Sequence, residues 1–247
     1  TLAENAKVVV DYEIYDPKGN KVSSVSKKYK LEPASSSVAY TEELAVSNPE
    51  LWSPDTPALY TMKTVVKDAK TGTVYDEVVE NFGLRWFHID PDKGFFLNGE
   101  YIKLVGTNRH QCFKDKGWAL DDSYHVNDIR MLKEMGGNFL RVAHYPQDPT
   151  ILKMCDKLGI LTSVEIPIVN AVTESQAFSD NCVMMAEEMV KQGFNHPSVV
   201  FWAYMNEVML RLPYKKKTPE YEAYCKEVHR QAVRIENRIN ELDPARE

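Results

Sequence analysis

No apolar run in the chain approaches the roughly 18 residues that a membrane-spanning helix needs. The opening stretch Thr1-Leu2-Ala3-Glu4-Asn5 has neither a charged n-region nor an apolar h-region, so no signal peptide is expected here. Cysteine is scarce: Cys112, Cys155, Cys182 and Cys225 fall in separate segments without a C-x-x-C pair. That spacing speaks against a disulfide framework or a thiolate metal site and predicts free thiols. It suits a reducing compartment without requiring one. Positive charge is not in excess either. The net charge is −6, and the single basic run, Lys215-Lys216-Lys217 between Pro213 and Pro219, reads as a solvated loop. Neither a nucleic-acid partner nor a membrane surface is expected, and a soluble cytoplasmic or periplasmic protein fits equally.

What is present is an ordinary globular composition, 43% hydrophobic and 27% charged over 247 residues, enough for one large domain or two smaller ones. Residues 1–87 read as all-β. Val8, Val10, Tyr12 and Ile14 alternate with Val9, Asp11, Glu13 and Tyr15, the period-two pattern of a strand. Asp16-Pro17-Lys18-Gly19-Asn20 supplies a turn, and further strands are predicted at Val22–Leu31, Val38–Val46, Leu59–Lys67 and Thr73–Val79. Short strands at this spacing predict a β-sandwich, with a scaffold role.

Residues 88–247 change rhythm to strand–helix alternation. Strands are expected at Ile102–Gly106, Phe139–Ala143, Ile160–Val164 and Val199–Tyr204. Helices are expected at Ser123–Met135, from Asp148-Pro149 through Leu158, around Asn181–Gln192, and over Pro219–Leu242. Asp121-Asp122-Ser123 offers capping oxygens to the first of these. Four β-then-α units in a row predict parallel strands with right-handed crossovers, half of an eight-unit barrel.

Each of the four strands ends on polar groups: Asn108-Arg109-His110, Arg141 through His144, Glu165, and Asn206-Glu207. Side chains at equivalent strand ends converge on the mouth of a barrel, so these should share a pocket. Trp202 and Tyr204 are expected to wall Glu207, whose carboxyl would then stay protonated near neutral pH and serve as an acid.

The run Asn195-His196-Pro197-Ser198-Val199-Val200-Phe201-Trp202, followed by Asn206-Glu207, resembles the acid/base signature of glycoside hydrolase family 2. Further landmarks follow in family order: Leu51-Trp52-Ser53-Pro54, Phe82-Gly83-Leu84-Arg85, Phe96-Leu97-Asn98-Gly99, Gly106-Thr107-Asn108-Arg109-His110 and Arg141-Val142-Ala143-His144-Tyr145-Pro146. The resemblance implies an immunoglobulin-like β-sandwich followed by the first half of a TIM barrel. It also implies a retaining β-glycoside hydrolase, with β-galactosidase as the leading activity and β-glucuronidase as the alternative. It assigns Glu207 as general acid/base, Asn206 to the sugar 2-hydroxyl, His110 and His144 to the bound sugar, Arg141 to the orientation of the nucleophile, and Glu165 to a supporting role.

A retaining mechanism uses two carboxyl groups about 5 Å apart. The glutamates after Glu207 all fall in or beside a surface-helix pattern, so the nucleophile is expected beyond residue 247, which makes this an internal piece of a longer enzyme. Such a piece would leave uncovered apolar surface flanking Ile102–Leu104 and Val199–Phe201, and would self-associate or need its missing part. No cofactor is expected. Many β-galactosidases of the family hold magnesium through a Glu-x-His pair after the third-strand glutamate, whereas this chain reads Ile166-Pro167-Ile168-Val169-Asn170-Ala171 there. A carbohydrate is the expected partner. Two other readings stay open: a metal-dependent hydrolase built on His110, His144, Glu165 and Glu207, and a carbohydrate-binding module without turnover.

Overall fold

The computed structural model describes residues 6–32, 40–212 and 214–246, and the chain divides into two compact units. The first comprises Thr1–Trp52 and Ala58–Arg85, the second Ser53–Pro57 and Trp86–Glu247.

In the first unit, β1 (Ala6–Tyr15), β2 (Lys21–Leu31), β3 (Tyr60–Asp68) and β4 (Val74–Phe82) form one antiparallel sheet in the order β2-β1-β3-β4. The alternation in β1 does what it predicts: Val8, Val10 and Ile14 are buried on one side of the pleat. Trp52, Ala58 and Tyr60 complete this small core. The strand expected at Val38–Val46 falls partly outside the described residues, and Tyr40–Val46 contains no strand. Side chains hold that segment instead. Tyr40 packs on Tyr29 at 4.0 Å between ring centroids, and Glu42 accepts from Tyr29 Oη at 2.8 Å and pairs with Lys27.

The second unit opens with a small antiparallel sheet, β5 (Phe87–Asp90), β6 (Gly94–Leu97) and β7 (Glu100–Tyr101). Four β/α units follow: β8 (Gly106–Arg109) with α1 (Asp122–Glu134), β9 (Phe139–Val142) with α2 (Pro149–Leu158), β10 (Leu161–Glu165) with α3 (Gln176–Gly193), and β11 (Val199–Ala203) with α4 (Pro219–Leu242). The strands lie parallel in the order β8-β9-β10-β11, half of a barrel wall. Asn108 registers with Arg141, Arg141 with Ser163, and Ser163 with Phe201, so the carboxyl ends of all four strands reach one level.

The first parallel strand starts at Gly106, later than the sequence pattern suggests, because Asn138 occupies the backbone before it. Its carboxamide accepts from Val105 N at 2.8 Å and donates to Lys103 O at 2.9 Å. Helix termini follow capping chemistry. Asp148, Ser175 and Thr218 accept from backbone N–H groups in the first turns of α2, α3 and α4. Gly159 closes α2 at φ 68°. At α1, by contrast, Asp121 makes no side-chain cap bond.

The core lies between the parallel sheet and its helices, around Leu140, Val142, Ile151, Val164, Cys182 and Ile235. The expected apolar opening beside β11 is not found. Val199 and Val200 are fully buried, Phe201 meets Phe95 and Phe139 edge-on, and Arg246 Nε donates to Val199 O at 2.9 Å. Near β8, Ile102 and Leu104 are half-buried and Val105 is exposed. Among the described residues β8 and β11 still end the sheet.

Candidate active site

Glu165 closes β10, one of the two inner strands of the parallel sheet, and only 1% of it is exposed. A carboxylate at that depth needs partners. Arg141 Nε from β9 donates to Oε1, and His144 Nδ1 stands 2.8 Å from Oε2. The same His144 nitrogen lies 3.3 Å from Arg141 Nη2, which can only donate. One nitrogen cannot serve both contacts. The shorter, charge-assisted one places the proton on Nδ1, directed at Glu165, and leaves Nε2 available to a ligand.

Arg141 Nη2 also donates to Asn206 Oδ1 at 2.9 Å. That bond assigns the amide: its oxygen is occupied by the guanidinium, and its NH2 is free to donate. Asn206 itself is 8% exposed and held by backbone bonds, its N–H to Ile168 O and its carbonyl from Asn170 N, both at 2.9 Å. Glu207 follows directly with φ 53°, in the left-handed region that a non-glycine residue rarely adopts. Such strain is kept where the surroundings dictate a particular side-chain placement.

His110, from the end of β8, meets His144 edge-on at 4.9 Å, and Tyr145 lies 6.4 Å from His110. Trp118, which is 62% exposed, stacks on Tyr145 at 4.7 Å and 21°. Aromatic surface thus runs from the histidine pair out to solvent.

Five of the six site residues expected from the sequence are joined by direct contacts: Arg141, His144, Glu165, Asn206 and His110. Glu207 joins them through the chain. The expected wall does not form. Trp202 donates its indole N–H to Asp243 Oδ2 at 2.9 Å and lies under Arg246, while Tyr204 Oη donates to Glu236 on α4 at 3.4 Å. Pleat alternation turns both rings toward the helix layer, and Glu207 is left exposed.

A family description, "Glycosyl hydrolases family 2, TIM barrel domain", matches residues 89–246, and "Glycosyl hydrolases family 2" matches residues 2–85. The chain belongs to glycoside hydrolase family 2. Among solved structures, a β-glucuronidase of Bacteroides uniformis is 41% identical with a TM-score of 0.95, over 99% of this chain and 29% of that one. The β-glucuronidase 2 of B. uniformis covalently bound to cyclophellitol-6-carboxylate aziridine is 39% identical with a TM-score of 0.93, again over 99% and 29%. A β-galactosidase of Bacteroides ovatus is 31% identical over 210 residues, covering 83% of this chain and 24% of its own length. The chain spans about a quarter of the length of the curated relatives it matches.

Within this family 2 chain, several residues of the site went unassigned from sequence: Arg109, Gln111, His125, Asp128 and Gln147. His125 sits among the apolar positions of α1 and reads there as core, and nothing in the spacing links it to Arg109. Ile166 and Ile168 are buried hydrocarbon, and among the described residues no group of three or more His, Cys, Asp or Glu side chains is placed to hold a metal ion. No described helix is long and apolar enough to cross a membrane.

Proposed function

We propose that residues 88–247 carry the acid/base side of a retaining β-glycosidase active site, with Glu207 as the proton donor to the leaving oxygen. The observation that carries this reading is the contact between Arg141 and Asn206, which occupies the Asn206 oxygen and leaves its NH2 to donate, one residue before Glu207. A glycosidic oxygen leaves poorly unless protonated, and hydrogen bonds to the 2-hydroxyl strengthen in the oxocarbenium-like transition state. Asn206 supplies the second of these and Glu207 the first. His144 Nε2 and the facing His110 ring are placed to meet sugar hydroxyls, while Glu165 holds Arg141 and His144 in position.

The nucleophile is a carboxylate supplied from outside residues 1–247. Three glutamates after Glu207 support this by being held elsewhere: Glu227 is tied to Arg230, Glu241 to Arg238 and Glu236 to Tyr204, all on α4. Glu165, committed to Arg141 and His144, is not free to attack.

The proposed substrate is a β-glucuronide. The solved β-glucuronidases similar to almost the whole chain support this over the β-galactoside that the sequence resemblance put first. The test is turnover of aryl β-D-glucuronide against aryl β-D-galactoside by the full protein and its Glu207→Gln variant. Preference for the glucuronide, lost in the variant, is expected. Preference for the galactoside would overturn the substrate assignment, and activity indifferent to Glu207→Gln would overturn the acid/base assignment.

A further inference from the structure

The two site histidines follow different strands, and the peptides that precede them end on one side chain. Gln147 Nε2 donates to Arg109 O at 2.6 Å and to Ala143 O at 3.0 Å. These carbonyls belong to the residues immediately before His110 and His144. The other end of the same amide, Oε1, accepts from Arg109 Nη1 at 2.6 Å. All of this carboxamide's donors and one acceptor position are therefore used, and its orientation is set by partners of known polarity.

The support extends outward. Arg109 is 8% exposed, with Nε donating to Asp128 Oδ2 at 2.7 Å and Nη2 lying 3.1 Å from His125 Nδ1. Arginine only donates, so the His125 nitrogen accepts and its ring proton sits on Nε2. A parallel pair of contacts ties the following residues. Gln111 N donates to Tyr145 Oη at 3.0 Å, and Asp148 N donates to Gln111 Oε1 at 2.7 Å. Each contact runs between the loop after β8 and the loop after β9.

We infer that Gln147 is a positioning residue: it clips the exits of β8 and β9 together and so sets the edge-on approach of His110 and His144 in the sugar site. One backbone bond carries the ladder past the end of β9, Ala143 N donating to Arg109 O at 3.1 Å. Beyond it side chains keep the two loops in register, and an amide that both donates and accepts spans the exits. The assignment rests on the proposed glycosidase reading for its catalytic consequence, but not for its geometry.

Gln147→Glu keeps the shape and an acceptor for Arg109 while deleting both donations to the carbonyls. Gln147→Met keeps the approximate length with no hydrogen bonds. The imidazole resonances of His110 and His144 in the full protein, read by nitrogen–proton correlation NMR, should shift in both variants, whether or not the protein turns over a glycoside. In turnover of aryl β-D-glucuronide, kcat should fall by up to about 100-fold, as expected when reacting groups are misplaced by about 1 Å, with KM changing less. A double-mutant cycle with His144→Ala separates positioning from general support. Gln147→Glu should cost little further once His144 is gone. Unshifted imidazole resonances, additive losses in the cycle, or failure of both variants to fold would each overturn the assignment. Shifted resonances without any glycoside turnover would keep it and remove the proposed function instead.

Discussion

Arg141 and Asn206, 65 residues apart in the chain, are joined across the strand between them by a 2.9 Å hydrogen bond from guanidinium to amide oxygen. Arg141 reaches Glu165 with its Nε and Asn206 with its Nη2, so one planar side chain bridges the exits of β9, β10 and β11. A lysine presents a point charge and cannot hold two acceptors at a fixed angle. The amide that precedes Glu207 therefore takes its orientation from a residue two strands away.

If Glu207 is the proton donor proposed above, its contribution should grow with how poor the leaving group is. In the full protein, Glu207→Gln should lower kcat/KM by about 100- to 10,000-fold for an alkyl or sugar leaving group, the usual contribution of general acid catalysis. For a highly acidic phenol the loss should be much smaller. Equal losses across a series of leaving groups, measured as a plot of rate against leaving-group pKa, would remove Glu207 from the acid role.

The purified 247-residue chain should hydrolyse neither aryl β-glucuronides nor aryl β-galactosides to a measurable extent, because retention needs two flanking carboxylates. Turnover by that chain, abolished in Glu207→Gln, would place the nucleophile inside residues 1–247 and overturn that part of the reading.

Gly106 opens β8 where the backbone of β9 comes very close. A Cβ built there would lie 1.6 Å from Phe139 O, a backbone atom that cannot step aside. Gly106→Ala should destabilise the protein at or above the top of the ~1–3 kcal/mol range for overpacking. Denaturant unfolding would check this, and a loss under 1 kcal/mol would show that the first strand can be displaced freely.

Asp148 caps α2, accepting from Thr150 N at 2.8 Å. Burial opposes its ionisation, but the Thr150 backbone and hydroxyl bonds, with Lys153 nearby, outweigh that and hold the carboxyl below the usual aspartate range. A lowered folded pKa means stability that is present above the unfolded value of about 4 and lost as pH falls through the folded value. Asp148→Ala should cost about 1 kcal/mol at pH 7. That gap should narrow in acid, as read from urea unfolding at several pH values. A gap that stays constant down to pH 2 would contradict the charged cap.

Much of this fold is written in local chemistry. Asp148-Pro149 with Gly159 marks both ends of α2 because capping and left-handed closure depend on the residues themselves. The same holds for α4, which starts at Pro219 behind Thr218. The order of strand-end polar groups and the family 2 landmarks were likewise legible, since each is a short contiguous pattern. The direction of side chains leaving a strand was not. Trp202 and Tyr204 turn to the helix layer, and whether a ring faces the barrel or the helices depends on where the pleat begins. The start of β8 at Gly106 was hidden for a similar reason, because Asn138, more than 30 residues away, takes the preceding backbone bonds. The sequence by itself determined the four β/α units, their order and the residues brought to their strand ends, all of which follow from periodicity and local propensity. Only the tertiary structure decided that Arg141 orients Asn206 and that Gln147 joins the peptides before the two histidines. Those bonds exist only after parallel pairing has brought distant strand ends to one level, and no spacing along the chain encodes that approach.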